Sequence, residues 1–234
     1  MLKLCGAVSV DEIEGSVHKC VEDKDLDGAL DAIKDAVDSI INNQRSVARV
    51  YASRRLDGLC ELVAKTARPA TQVGASEHTQ DGGTVIMATE LAAAGGHVEV
   101  IRDLVRLGSV PAPVKLFLTD SFQRIDESAQ QGYAASMGVP VCIAKKGGSG
   151  ARMGETLAFL LEQRPHTVVL LVHNQDAVGI VAALACHAKR VIFVHHGDHH
   201  LSLGVTCPSF EHVDLSNFAF FNCRQTLGLA NNRF

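Results

Sequence analysis

Five short apolar runs recur after residue 84, at Val85–Ala88, Val114–Leu118, Val141–Ala144, Val168–Val172 and Val191–Val194. Between them lie helical stretches over 97–107, 126–137, 151–164 and 176–188. Runs this short, apolar at successive positions, read as strands buried on both faces. Strands alternating with helices form βαβ units, which pair in parallel with right-handed crossovers. Arg164-Pro165-His166 and Met137-Gly138-Val139-Pro140 stop the helices before the next strand. The fold class is therefore α/β: a Rossmann-like parallel sheet with flanking helices. A sixth short strand at His212-Val213-Asp214-Leu215, followed by a helix, is one reading of the last stretch. With 47% hydrophobic residues, 5% aromatic and no Trp, the core must be built from Val, Leu, Ile and Ala.

A small helical region precedes this unit. Ser9-Val10-Asp11-Glu12 is a helix start with an N-cap and acidic first turn. Leu26, Leu30, Ile33, Ala36, Val37, Ile40 and Ile41 follow at helical spacing, and a third helix is expected from Gln44 to Lys65. The organisation expected is a helical appendage over 1–66, a linker over 67–83 and a Rossmann-like domain over 84–234. The appendage carries no evident chemistry; packing or homo-oligomer formation is its expected role. Seven cysteines without a C-x-x-C pair suit reduced thiols in a cytoplasm. No segment has the length of a transmembrane helix or a signal-peptide core. A net charge of −4 speaks against a nucleic-acid partner.

In an open parallel sheet, ligands bind outside the carboxyl ends of the strands. Here those ends carry Glu90, Thr119-Asp120, Lys145-Lys146-Gly147-Gly148, His173-Asn174-Gln175-Asp176 and His195-His196-Gly197-Asp198-His199-His200. Together they form a candidate crevice. Gly95-Gly96-His97 opens the first helix of this domain, where glycines admit a ligand to the backbone and free N–H groups attract anions. No complete G-x-G-x-x-G or Walker pattern is present. The histidine run also admits a zinc-hydrolase reading, H-x-H-x-D-H ending at Asp198-His199, but Val194 stands where its first histidine belongs. No G-x-S-x-G elbow occurs.

Ala88-Thr89-Glu90-Leu91-Ala92-Ala93-Ala94-Gly95-Gly96-His97 resembles the first strand–loop–helix of GT-B glycosyltransferases. Phe117-Leu118-Thr119-Asp120 and His173-Asn174-Gln175-Asp176-Ala177 fit the same pattern, and Val194–Gly204 is similar to an N/H-H-A-D-H-x-x-x-x-G segment of bacterial GT-B-like proteins. The resemblance covers residues 83 to 234 and implies the N-terminal, acceptor-side half of such an enzyme. It implies a nucleotide-sugar donor and a sugar, lipid or protein acceptor, with no cofactor and no required metal. The donor site is expected on a C-terminal domain or partner subunit, without which this half is inactive. Asp198 or His199 is the first candidate for the general base and His97 the second. Gly95, Gly96, Thr119, Asp120, His173, Asn174, Asp176, His195 and His196 are the candidate substrate contacts. Gly197 replaces the family segment's Ala, and His200-Leu201-Ser202 stands where related proteins carry bulky aromatics, so the acceptor is left open. The alternative is a binding or docking module without catalysis, using an apolar face around Phe218, Phe220 and Phe221.

Overall fold

A computed structural model of the chain describes residues 9–68, 82–92, 96–145, 147–186, 188–197 and 199–234. Six parallel strands form one sheet: β1 Thr84–Ala88, β2 Val114–Leu118, β3 Val141–Ile143, β4 Thr167–Leu171, β5 Arg190–His195 and β6 Glu211–Asp214. Their order is β3-β2-β1-β4-β5-β6. Among the described residues eight helices accompany them: α1 Val10–Glu22, α2 Leu26–Ile41, α3 Arg54–Ala67, α4 Gly96–Arg106, α5 Glu127–Ser136, α6 Ser149–Gln163, α7 Ala177–Ala185 and α8 Asn217–Gln225. The α/β class and the parallel sheet follow the apolar runs closely, and the sixth strand and its helix are present.

Alternation along the strands divides the core. Ile86, Ala88, Leu116, Leu118, Val169, Leu171 and Val194 pack on one face with Val98 and Ile101 of α4 and Ala134 of α5. Val85, Met87, Phe117, Val168, Leu170, Val191 and Phe193 face the other way, into a cluster with residues of α6 and α7. All five residues of β1 and of β4 are buried, as central strands covered on both faces must be.

The first three helices belong to that second cluster. Ile13 and Val17 of α1, Leu30, Ile33 and Val37 of α2, and Leu56, Leu59 and Val63 of α3 are buried in it. The spacing that marked α2 as amphipathic is the stripe it buries, and Ser9 caps α1 through a reciprocal bond with Glu12. The third helix starts at Arg54, capped by Ser53, and not near Gln44. Residues 43–50 turn instead, because Asn43 and Ser46 bond their own neighbourhood: Arg45 N–H donates to Asn43 Oδ1 (2.9 Å) and Ser46 Oγ donates to Ile40 O (2.7 Å). Such side chains offer the backbone an alternative to helix.

One polar contact inside this layer reaches toward the strand ends. Asp57 of α3 is 2% exposed, and its carboxylate accepts from Gly204 N (2.7 Å), Thr206 N (2.8 Å) and Thr206 Oγ1 (2.6 Å). Gly204 sits at φ +91°, and a Cβ there would meet Ile180 Cδ1 at 2.8 Å and Phe193 Cε2 at 3.0 Å. Ser202 N–H donates to Tyr51 O (3.1 Å) and Ala48 N–H to His199 O (3.0 Å). The loop after β5 is thus held by the amino-terminal segment. Replacing Asp57 by Ala orphans one buried and two half-buried donors and is expected to lower the unfolding free energy by about 2–4 kcal/mol. Denaturant unfolding checks the magnitude, and hydrogen exchange should show amides 202–206 losing protection first.

Candidate active site

The sheet order reverses between β1 and β4, since β2 and β3 extend to one side and β5 and β6 to the other. The crevice at such a switch point is where doubly wound sheets bind ligands. Its floor is a buried polar knot. Asp176, wholly buried, caps α7 by accepting from Gly179 N (2.9 Å) through Oδ1. Its Oδ2 accepts the hydroxyls of Thr89, just past β1 (2.6 Å), and of Thr119, just past β2. Thr89 Oγ1 in turn accepts from His173 N (2.8 Å), beyond β4. Burial pushes the Asp176 carboxyl up, and the two threonine hydroxyls oppose that shift.

Above this knot three imidazoles converge from three segments. The His97 ring, at the start of α4, lies 5.1 Å from that of His173 and 4.9 Å from that of His196. His196 Nε2 bonds Val172 O at 2.9 Å; a carbonyl only accepts, so Nε2 carries the proton and Nδ1 is left as an acceptor. Nε2 of His97 and of His173 are buried and have no hydrogen-bond partner among the described residues. Glu90 Oε1 approaches His173 Nε2 to 3.8 Å. Glu90 is itself gripped by the Arg124 guanidinium, with Nε at 3.0 Å. Arg124 stacks over the Phe122 ring at 4.7 Å, and Phe122 meets His173 edge-on at 5.2 Å.

Electrostatics divides these groups. The Arg124 bond holds Glu90 below the usual carboxylate range. Burial lowers His97 and His173, both against the pull of Glu90, and burial pushes His196 down to about 4. At neutral pH the crevice therefore holds an anchored ion pair beside three neutral imidazoles.

The residues singled out from the sequence separate into distinct surroundings. His97, His173 and His196 meet in the crevice. Gly96 is exposed at the start of α4, with open space where a Cβ would stand. Asn174 lies beside Gly197, whose added Cβ would come 2.5 Å from its Oδ1, and the Asn174 carbonyl accepts from Leu203 N (2.9 Å). Thr119 and Asp176 form the floor, and Asp120 is turned inward onto the buried Arg152, whose Nη1 donates to Oδ2 at 2.8 Å. His195 is 2% exposed and points away from the crevice, toward Asp214. His199 is exposed, with its ring 4.1 Å from that of His200. Gly95 and Asp198 lie outside the described residues, as does most of the expected linker.

Several residues of the site carry a weak sequence signal or none. Gln130 of α5 clamps the β1–α4 loop, its Oε1 accepting from Leu91 N (2.6 Å) and its Nε2 donating to Leu91 O (2.9 Å). Phe122 and Arg124 sit just past the strand end, beyond the residues read as rim. Arg152 on α6 is legible only as a charge facing the apolar stripe of its own helix, among Met153, Thr156 and Leu160.

The chain matches no model of a known protein family and no curated protein sequence.

Because folded His97 and His173 take up protons less readily than in the unfolded chain, the unfolded state binds more protons below about pH 6.5. Their contribution is intact above that pH and is lost as the pH falls toward their own lowered values. An NMR titration should show both rings protonating below pH 6.5. Unfolding measured at pH 7.5 and pH 5.0 should show a smaller acid loss in His97→Gln/His173→Gln than in the wild type.

Proposed function

We propose that this chain is the acceptor-side half of a GT-B-type glycosyltransferase and that its crevice presents an acceptor hydroxyl to His97. The observation that carries this reading is the group of neutral imidazoles over the switch point, in which His97 Nε2 is buried without a hydrogen-bond partner among the described residues, beside His173 and His196. A nucleophilic hydroxyl needs a base that is unprotonated at working pH, and burial keeps His97 so. The nucleotide sugar is supplied by a second domain or subunit. The Glu90–Arg124 pair stands next to the histidines, a donor and an acceptor of fixed position suited to the vicinal hydroxyls of a sugar.

A second reading is a docking module without catalysis. Phe218 and Phe221 of α8 are 54% and 53% exposed, and Phe234 is 69% exposed. Exposed aromatics are where protein partners gain most of their binding energy. The two readings use different surfaces.

Amide-detected NMR with methyl hexosides and, separately, UDP-hexoses tests the first. Glycosides should shift residues 89–91, 173–175 and 196–197, and His97→Ala should weaken that binding about tenfold, the loss of one buried hydrogen bond, while circular dichroism stays unchanged. Shifts confined to α8, or glycoside binding indifferent to His97, would overturn it.

A further inference from the structure

On the opposite face of the sheet from the crevice histidines, four potential metal ligands meet. His195 ends β5, and its register partner is Asp214 at the end of β6. His212 lies two residues before Asp214, hence on the same face of the strand. Cys223, from α8, closes the group from above. All four side chains are buried: 1% exposed for His195, 0% for Asp214 and 8% for His212, with Cys223 at 0%. One ligand atom from each falls within 4.8 Å of every other.

We propose that His195 Nδ1, His212 Nε2, Asp214 Oδ1 and Cys223 Sγ form a closed, structural zinc site. The separations suit one small ion. The sulfur lies 3.7 Å from each imidazole nitrogen and 3.4 Å from the carboxylate oxygen. A tetrahedral zinc with bonds of about 2.0–2.3 Å sets sulfur about 3.6 Å from its neighbours. The carboxylate oxygen is 2.9 Å from each imidazole nitrogen. These two edges open to about 3.3 Å when an ion enters.

Charge and chemistry point the same way. Two neutral imidazoles, one carboxylate and one thiolate bring two negative charges, which a divalent cation cancels without leaving a net charge in the interior. The ion takes the place of the thiol proton, which passes to solvent. The two ring protons that face Asp214 shift to His195 Nε2 and His212 Nδ1, which have no hydrogen-bond partner among the described residues, so both imidazoles stay neutral. A mixed N, O and S set selects zinc over the hard cations. Four protein ligands without an exposed face leave no open position, so the ion is a staple and not a catalyst. The ligating carboxylate has an outer partner: Asn232 Nδ2 donates to Asp214 Oδ2 (2.6 Å), and Asn232 is held by Arg224 Nε at 2.9 Å. Zinc here ties β5, β6 and α8 together. It also fixes the backbone at His195, the residue before the crevice's His196.

Untagged full chain, expressed with zinc in the medium, is analysed for bound metal, and the zinc environment is read by X-ray absorption. The expected result is about one zinc per chain with one sulfur and three nitrogen or oxygen ligands. Cys223→Ser and Asp214→Asn should each lower retained zinc at least tenfold after dialysis against a weak chelator, whereas His199→Ala/His200→Ala should retain it. Stripped wild type refilled with cobalt should give intense tetrahedral visible bands and a thiolate charge-transfer band. That measurement decides the matter even if a variant fails to fold. Wild type that binds neither zinc nor cobalt, or zinc that is lost with His199 and His200 but kept without Cys223, overturns the proposal.

Discussion

The crevice depends on one buried carboxylate. Asp176 takes the hydroxyls of Thr89 and Thr119 and the N–H of Gly179, so the ends of β1 and β2 are fastened to the first turn of α7. A carboxylate wholly out of water is tolerated only if nearly every lone pair is met, and the helix N-terminus adds a favourable dipole. The arrangement also sets Thr89 as a relay: its hydroxyl donates to Asp176 and accepts the His173 amide, which fixes where the backbone leaves β4. The position of His173 above is a consequence of this knot. Truncating Asp176 would leave the Thr89 and Thr119 hydroxyls and the Gly179 N–H without their acceptor, which is why so small a group can govern the geometry of three strand ends.

The loop that follows β5 is governed from elsewhere. Residues 199–206 bond to Ala48, Tyr51 and Asp57, all from the amino-terminal segment, while α7 and β5 supply their apolar floor through Ile180 and Phe193. The three amino-terminal helices bury their stripes in the same cluster as α6 and α7. Their contribution to the crevice rim is therefore direct, through hydrogen bonds, and indirect, through packing. A sign of this was present in the sequence. Asp57 stands between Leu56 and Leu59 on the face that Cys60 and Val63 complete, where a lone carboxylate needs a partner from another element.

How much could be read in advance follows from the kind of signal involved. Continuous apolar runs report burial on both faces, so β1, β2 and β4 and the α/β class were legible. Polar residues after each run marked the rim, which gave His173 and His196, and the Gly95-Gly96-His97 turn gave His97. Direction was not legible. The six residues His195–His200 look alike in composition, yet β5 extends through His195, and the two-residue period places it with Phe193 on the inner face. A strand end one residue later than the apolar run moves an imidazole from crevice to core. Likewise the meeting of His195 with His212, Asp214 and Cys223 needs the β5–β6 register and the packing of α8, neither of which local spacing encodes.

Two sets of histidines therefore adjoin at the end of β5, through His195 and His196, but answer to different physics. His97, His173 and His196 are held neutral by partial burial, with the nearest anion, Glu90, neutralised by Arg124. His195 and His212 lie against the ionised Asp214, whose carboxyl is held far below the usual range by those two imidazoles and Asn232 despite its burial. A single backbone step separates His195 from His196, so whatever fixes the inner set also fixes the outer one. The strand is stiff there because His195 O accepts from Leu215 N (3.2 Å) and β6 continues alongside. A rigid inner anchor directly behind an outer side chain is the arrangement that keeps the His196 ring within a narrow range of positions over the crevice.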